Sequence, residues 1–303
     1  MSLAIQTQKI TGNDTATFTF GGTIGAYLYG IQELQLMSSG PMFQRIGVAL
    51  APQGGGVGSN ELTLAQTVLL DAAVLDQSWT EVSVLAWLGA ENPAGIFMQN
   101  QSGIGLGGVS QALATAGATP VVAAAAMAGF DFSFASDNSG LMGIGLSCGA
   151  VQDVFATGGP AVRALAQGTL TGSSSSSGTV DAALLALTAP QPGTAVDVVG
   201  VGNPEGPVTS QVGPYLGGQS LGSAALFIQS FFGQYDLEQP STNLDTLHLG
   251  SPAAGIQLNS DQPGAITYQS VQTLSGICEG NSGPYEDGAV NLQTNSLLVA
   301  LAG

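Results

Sequence analysis

The side chains able to do acid–base chemistry are few and widely spaced. A single histidine, His248, lies in the segment LHLGS, with Asp245 just before it. A Ser-His-Asp system would have to recruit that histidine, because a hydroxyl attacks at neutral pH only beside a base. No nucleophile elbow is assigned to any serine, and His248 reads as an ordinary strand histidine. Glycoside hydrolysis would need two facing carboxyl groups. The nearest in sequence are Asp236 with Glu238, Glu286 with Asp287, and Asp131 with Asp137. Asp131 belongs to an alternating strand and Asp137 to a turn, so nothing in the spacing pairs them. The reading is of a protein that is not an enzyme.

Two turns offer hard oxygen ligands to a cation such as calcium: Asp137 and Asn138 in SDNSG, and Glu286 and Asp287 in YEDG. Turn chemistry accounts for both without a metal, since Asp, Asn and Gly favour that backbone geometry. GIGLGG (103–108) and PQGGGVG (52–58) resemble phosphate loops by glycine count alone, and no GK[ST] follows either. No cofactor is implied. Aromatic side chains are the remaining handle. Trp79 and Trp87 lie an even number of residues apart, and so do Tyr27 and Tyr29. Each pair would therefore share one face of a strand, as core or as a ligand-stacking surface.

Cations are nearly missing. Lys9, Arg45 and Arg163 are the only Lys and Arg in 303 residues, against 20 acidic ones, for a formal net charge of −17. Binding to a phosphate backbone draws on Lys and Arg, so nucleic acid is excluded as a partner, and an anionic membrane surface for the same reason. Charged residues make up only 8% of the chain, so solubility must rest on Ser, Thr, Gln and Asn. No apolar run reaches the ~20 residues of a spanning helix, so no membrane insertion is expected. The start, MSLAIQTQKITGND, has no basic-then-apolar export pattern, which leaves cytoplasmic, virion-associated or non-classically exported locations open. Cys148 and Cys278 form no metal-binding pattern and read as two buried free thiols.

The elements that would position these residues recur. A long opening segment is followed by a short apolar one, an alternating one and a closing one. The first set is IGAYLYGIQELQLMSSG (24–40), RIGVAL (45–50), ELTLAQTVLLD (61–71) and EVSVLAWL (81–88). The second is VAAAAMAGFDFSFASDNSG (122–140), GIGLSCGA (143–150), AVRALAQGTLTG (161–172) and TVDAALLAL (179–187). A more divergent third is AALFIQSFFGQYDLEQ (224–239), LHLGS (247–251), AITYQSVQTLSG (265–276) and NSLLVALA (295–302). The period is about 100 residues, the size of one β-sandwich unit.

Alternation over TATFTF (15–20) and FDFSF (130–134) has the period of strands. The expected fold is all-β: tandem antiparallel β-sandwich repeats, jelly-roll-like or Ig-like, with long Gly/Pro-rich connectors. The repeats would be residues 1–90, 121–189 and 223–303, and the connectors 91–120 and 190–222, each holding an added strand or packing on a neighbour. QALATAGA (111–118) is a possible short helix.

Repetition, scarce charge and small-residue strands point to a structural, self-assembling subunit of a filament, shell or virion, whose partner is itself. Neutral surfaces pack without desolvating charge, and strands poor in lysine lack protection against edge pairing. The alternative is a lectin-like or receptor-binding module that holds a glycan or protein receptor through several weak sites.

Overall fold

The computed structural model describes the chain except residues 1, 40–44, 90–94, 135–142, 155, 157, 172–175, 189–195, 204–207, 214–219, 235–241, 281–282 and 289–290. Residues 134, 170–171, 176, 197, 203, 208–212, 242–244, 276–280, 283–288 and 291 are described by backbone alone. Every long element is a strand, and the described residues hold no α-helix.

Six strands come from the first stretch of chain: β1 (Ser2–Thr11), β2 (Thr15–Thr19), β3 (Ile24–Met37), β4 (Arg45–Gly55), β5 (Glu61–Val68) and β6 (Trp79–Leu88). The second gives β7 (Ile96–Gly105), β8 (Leu113–Ala114), β9 (Val122–Phe134), β10 (Gly143–Asp153), β11 (Ala161–Thr171) and β12 (Ser176–Leu187). From the third come β13 (Val196–Asn203), β14 (Val208–Val212), β15 (Leu221–Gln234) and β16 (Thr242–Gly250). It continues through β17 (Gln257–Leu258), β18 (Ile266–Gly280), β19 (Gly283–Gly288) and β20 (Asn291–Ala302). The stretches 91–120 and 190–222 thus carry β7, β8, β13 and β14. The alanine-rich 111–118 is no helix: Ala116 and Gly117 take positive φ, 51° and 85°, a left-handed turn that a right-handed helix cannot contain.

Alternation shows directly in burial. TATFT of β2 runs exposed, buried, exposed, buried, exposed, with Ala16 and Phe18 facing in. ELTLAQTV of β5 does the same through Leu62, Leu64, Gln66 and Val68.

Pairing is antiparallel throughout and follows one plan three times. Sheet one runs β1-β6-β3-β16-β18-β14, with β17 and β19 also on β18; sheet two runs β13-β20-β15-β10-β11-β8; sheet three runs β7-β12-β9-β4-β5-β2. In each, three strands of one stretch meet three of another. The first stretch is shared between sheets one and three, the second between three and two, the third between two and one. No stretch closes a sheet by itself, and the sharing returns on itself as a circuit. The main apolar core draws on all three sheets, Leu34, Phe132 and Phe231 among its members, and a smaller one joins Leu226, Ile266, Tyr268, Leu298 and Ala300 of β15, β18 and β20.

The strands β3, β9 and β15 pack against one another where the sheets converge. Each has a one-residue bulge opposite its neighbour from the same stretch, at Gln32, Ala128 and Gln229. A bulge redirects the strand and strengthens its twist, which lets three sheets turn toward a common centre. Two residues before the bulges stand Gly30, Ala126 and Phe227. A Cβ on Gly30 would lie 2.7 Å from the Phe227 ring and 3.1 Å from the Met127 carbonyl oxygen. One phenyl ring fills the centre, and the two matching positions are small to admit it. Ala126 belongs to the alanine run of β9, in which Ala124, Ala125 and Ala128 are also buried.

Candidate functional site

The four aromatic residues singled out by spacing do not form one surface. The β1–β6 register is unbroken from Ser2–Leu88 to Thr11–Trp79, so Trp79 and Trp87 do share a face. Eight strand positions nevertheless hold them about 26 Å apart. Trp87 is buried at 3% exposure, while Trp79 is partly exposed. Tyr27 and Tyr29 stack, with ring centroids 6.5 Å apart and planes 22° from parallel. They face the protein. Tyr29 is buried, its hydroxyl 3.4 Å from the Leu50 carbonyl, and burial, with the Asp181 charge second, pushes its pKa up to about 12. Tyr27 is also raised by burial.

Around Trp79 the sheet gathers one of the chain's three cations, its single histidine and two carboxylates. Lys9, Glu81 and Glu33 stand directly opposite one another across β1, β6 and β3. One pair further along, Thr11, Trp79, Gln35 and His248 form the next row of the same face. Lys9 Nζ sits 3.5 Å from the centre of the Trp79 ring, and the His248 ring meets Trp79 edge-on at 5.3 Å. His248 Nε2 lies 2.8 Å from Glu33 Oε1, which is buried. Facing carboxylates on adjacent strands repel. Lys9 offsets that on one side, and the Ala253 N–H donates to Glu81 at 2.7 Å. Burial is the main cause that raises the Glu81 pKa, that hydrogen bond opposing it. No described hydroxyl or thiol bonds His248, so the cluster holds a base with no nucleophile. It clamps the third stretch to the first.

The pattern G-x-S-x-G does occur, in GLSCG (145–149) and GQSLG (218–222). Neither is an elbow, which requires a strand-to-helix turn. Ser147 sits mid-strand in β10, opposite Gln167 and Ser230, and Ser220 immediately precedes β15. Asp131 pairs with Arg45, whose Nε and Nη2 donate to its two oxygens at 2.8 and 2.7 Å. Asp137 and Asn138 lie outside the described residues. Glu286 and Asp287 lie on β19, opposite Ile277 and Gly276, with their side chains outside the described residues too. Among the described residues no group of three or more His, Cys, Asp or Glu is placed to hold a metal ion. Cys148 is free and fully buried, and burial pushes its thiol up to about 12.

A surface that the aromatic spacing did not indicate lies on sheet two. A shallow cavity of about 250 Å³ opens there among Ser147, Gln167, Thr169, Ser230, Phe232 and Asn295. Phe232 is 41% exposed, in contrast to its buried neighbour Phe231. The doublet itself was the available signal, since adjacent strand residues point to opposite faces and only one can be core.

Comparison with known proteins matches the chain to no family and to no curated relative. No helix of the described residues is long and apolar enough to cross a membrane.

Proposed function

We propose that the protein is a non-catalytic structural module that associates with copies of itself through the faces of its sheets. The chain acts as one threefold unit, a tandem repeat closed into a ring by exchange of strands. One observation carries the reading: each of the three cations already has a partner within the chain, although all three stay at the surface. Arg45 is bidentate on Asp131, Arg163 lies 3.3 Å from Asp153 and donates to the Ser110 carbonyl, and Lys9 covers Trp79. The rest of the surface is polar, uncharged or acidic, so contact away from these three residues desolvates no ammonium or guanidinium group.

Edges support faces as the contact. Gln8 Nε2 of β1 donates to the Thr17 carbonyl of β2 at 2.5 Å, and Gln6 Nε2 bonds the Thr19 carbonyl. Two side-chain amides of β1, an outer strand of sheet one, thereby occupy two backbone carbonyls of β2, an outer strand of sheet three. β2 has no lysine, and there the glutamine amides stand in for it, so that edge is no fully open template.

Sedimentation velocity across a concentration series tests the proposal. With 20 acidic residues per chain, repulsion opposes contact, so association should strengthen as salt screens it. A strict monomer at high concentration and high salt contradicts it.

A further inference from the structure

The position three residues beyond each bulge is occupied differently on the three sheets. On sheet three it is Asp131, covered by the Arg45 guanidinium. On sheet one it is Gln35, between His248 and Trp79, and the indole is covered by Lys9 and the imidazole. Sheet two has Phe232, opposite Gly145 and Gln293. Among the described residues no charged group lies over the ring. A Cβ on Gly145 would come within 2.9 Å of Phe232 Cδ2 and 3.2 Å of Thr169 Oγ1. The missing side chain therefore lets the phenyl lie across the sheet.

Two rows of neutral polar groups surround it. Gln293 and Thr169 flank Phe232 and Gly145; Asn295, Ser230, Ser147 and Gln167 make the row beside them. Asn295 Nδ2 donates to Ser230 Oγ at 2.9 Å, and among the described residues no other hydrogen bond joins these side chains. Amides and hydroxyls can each both donate and accept, so they suit a ligand with the same mixture. A bare aromatic face has a negative quadrupole that attracts weakly positive C–H groups.

We propose that this face of sheet two binds a neutral saccharide, with one sugar ring stacked on Phe232 and its hydroxyls bonded by Gln167, Gln293 and Asn295. The described lining holds no cation that would favour acidic sugars or phosphates. At about 250 Å³ the cavity is smaller than the ~300–1,000 Å³ of drug-sized pockets, which suits one ring of an oligosaccharide and a weak, exposed contact.

The test is a glycan array on the purified protein, followed by NMR titration with neutral and acidic oligosaccharides. Neutral glycans should bind, with shifts concentrated at residues 145–147, 167–169, 230–232 and 293–295. Phe232→Ala should weaken binding at least about tenfold. Gln167→Ala, an exposed change that leaves the core intact, should weaken it several-fold. The proposal is overturned if no neutral glycan binds, if only acidic glycans or peptides do, if the shifts fall elsewhere, or if both variants bind like the parent.

Discussion

Gln32 and Gln229 hold the same bulge position on different sheets, and each sends its amide into the backbone of the next. Gln32 Oε1 accepts the Leu226 N–H of β15 at 3.4 Å, and Gln229 Nε2 donates to the Ala125 carbonyl of β9 at 3.2 Å. Leu226 and Ala125 both stand three residues before their own bulges. At the third such position, Tyr29 of β3, the matching bulge residue is Ala128 and cannot reach. Asn100 of β7 replaces it, accepting the Tyr29 N–H at 3.0 Å and donating to its carbonyl at 2.7 Å. Amides thus tie sheet one to two, two to three and three to one.

Removing one tie should be felt as a buried group left unpaired. Gln32→Met deprives Leu226 N–H and Ser83 Oγ, which lies 2.8 Å from Gln32 Oε1, of their acceptor. Urea unfolding should show a loss of about 1–3 kcal/mol. Gln229→Ala, at a partly buried site, should lose nearer ~1 kcal/mol.

Gly30 faces the Phe227 ring, so Gly30→Ala should overpack the centre and destabilise by about 1–3 kcal/mol, though alanine is ordinarily the better-ordered residue. Gly30→Ala combined with Phe227→Leu should recover part of that loss, because the smaller side chain frees the space. Thermal melts of the single and double variants decide it.

The strands themselves were legible. Alternation in TATFT and ELTLAQTV comes from one buried and one exposed face, and the recurring order of segments falls on β3 to β6, β9 to β12, and β15, β16, β18 and β20. Their partners were not. Alternation tells which side chains face in, but not which distant strand supplies the neighbouring backbone, and Gln32 or Gly30 has a reason only once β15 is beside it. The site was hidden for a related cause: tryptophan draws attention by size, yet Trp87 is core and Trp79 is covered by Lys9, whereas Phe232 stands out only when Gly145 is opposite.

Burial separates the two tryptophans. Trp79→Phe should leave a blue-shifted emission from Trp87 that acrylamide quenches poorly, and Trp87→Phe should leave a more quenchable one. Equal quenching in both variants would contradict the placement of β6.

Acid should stabilise before it denatures. Glu81 and Asp181 both have raised pKa values, burial being the main cause in each. A carboxyl whose folded pKa exceeds its unfolded one binds its proton more tightly when folded. Stability therefore rises as pH falls through the folded value, until the unfolded value near ~4 is reached. Tm should climb as pH falls from neutral toward the unfolded carboxyl value of ~4, and Asp181→Asn should flatten the climb. A steady fall in Tm over that range would refute the assignment.

The ring closed by strand exchange is most directly tested by equilibrium urea unfolding, followed at once by tryptophan emission, which reports β6 of the first stretch, and by far-UV circular dichroism, which reports every strand. Closure predicts one transition with coincident midpoints, since no stretch completes a sheet without another. Separate midpoints, with the first stretch melting apart from the rest, would mean independent modules and contradict it.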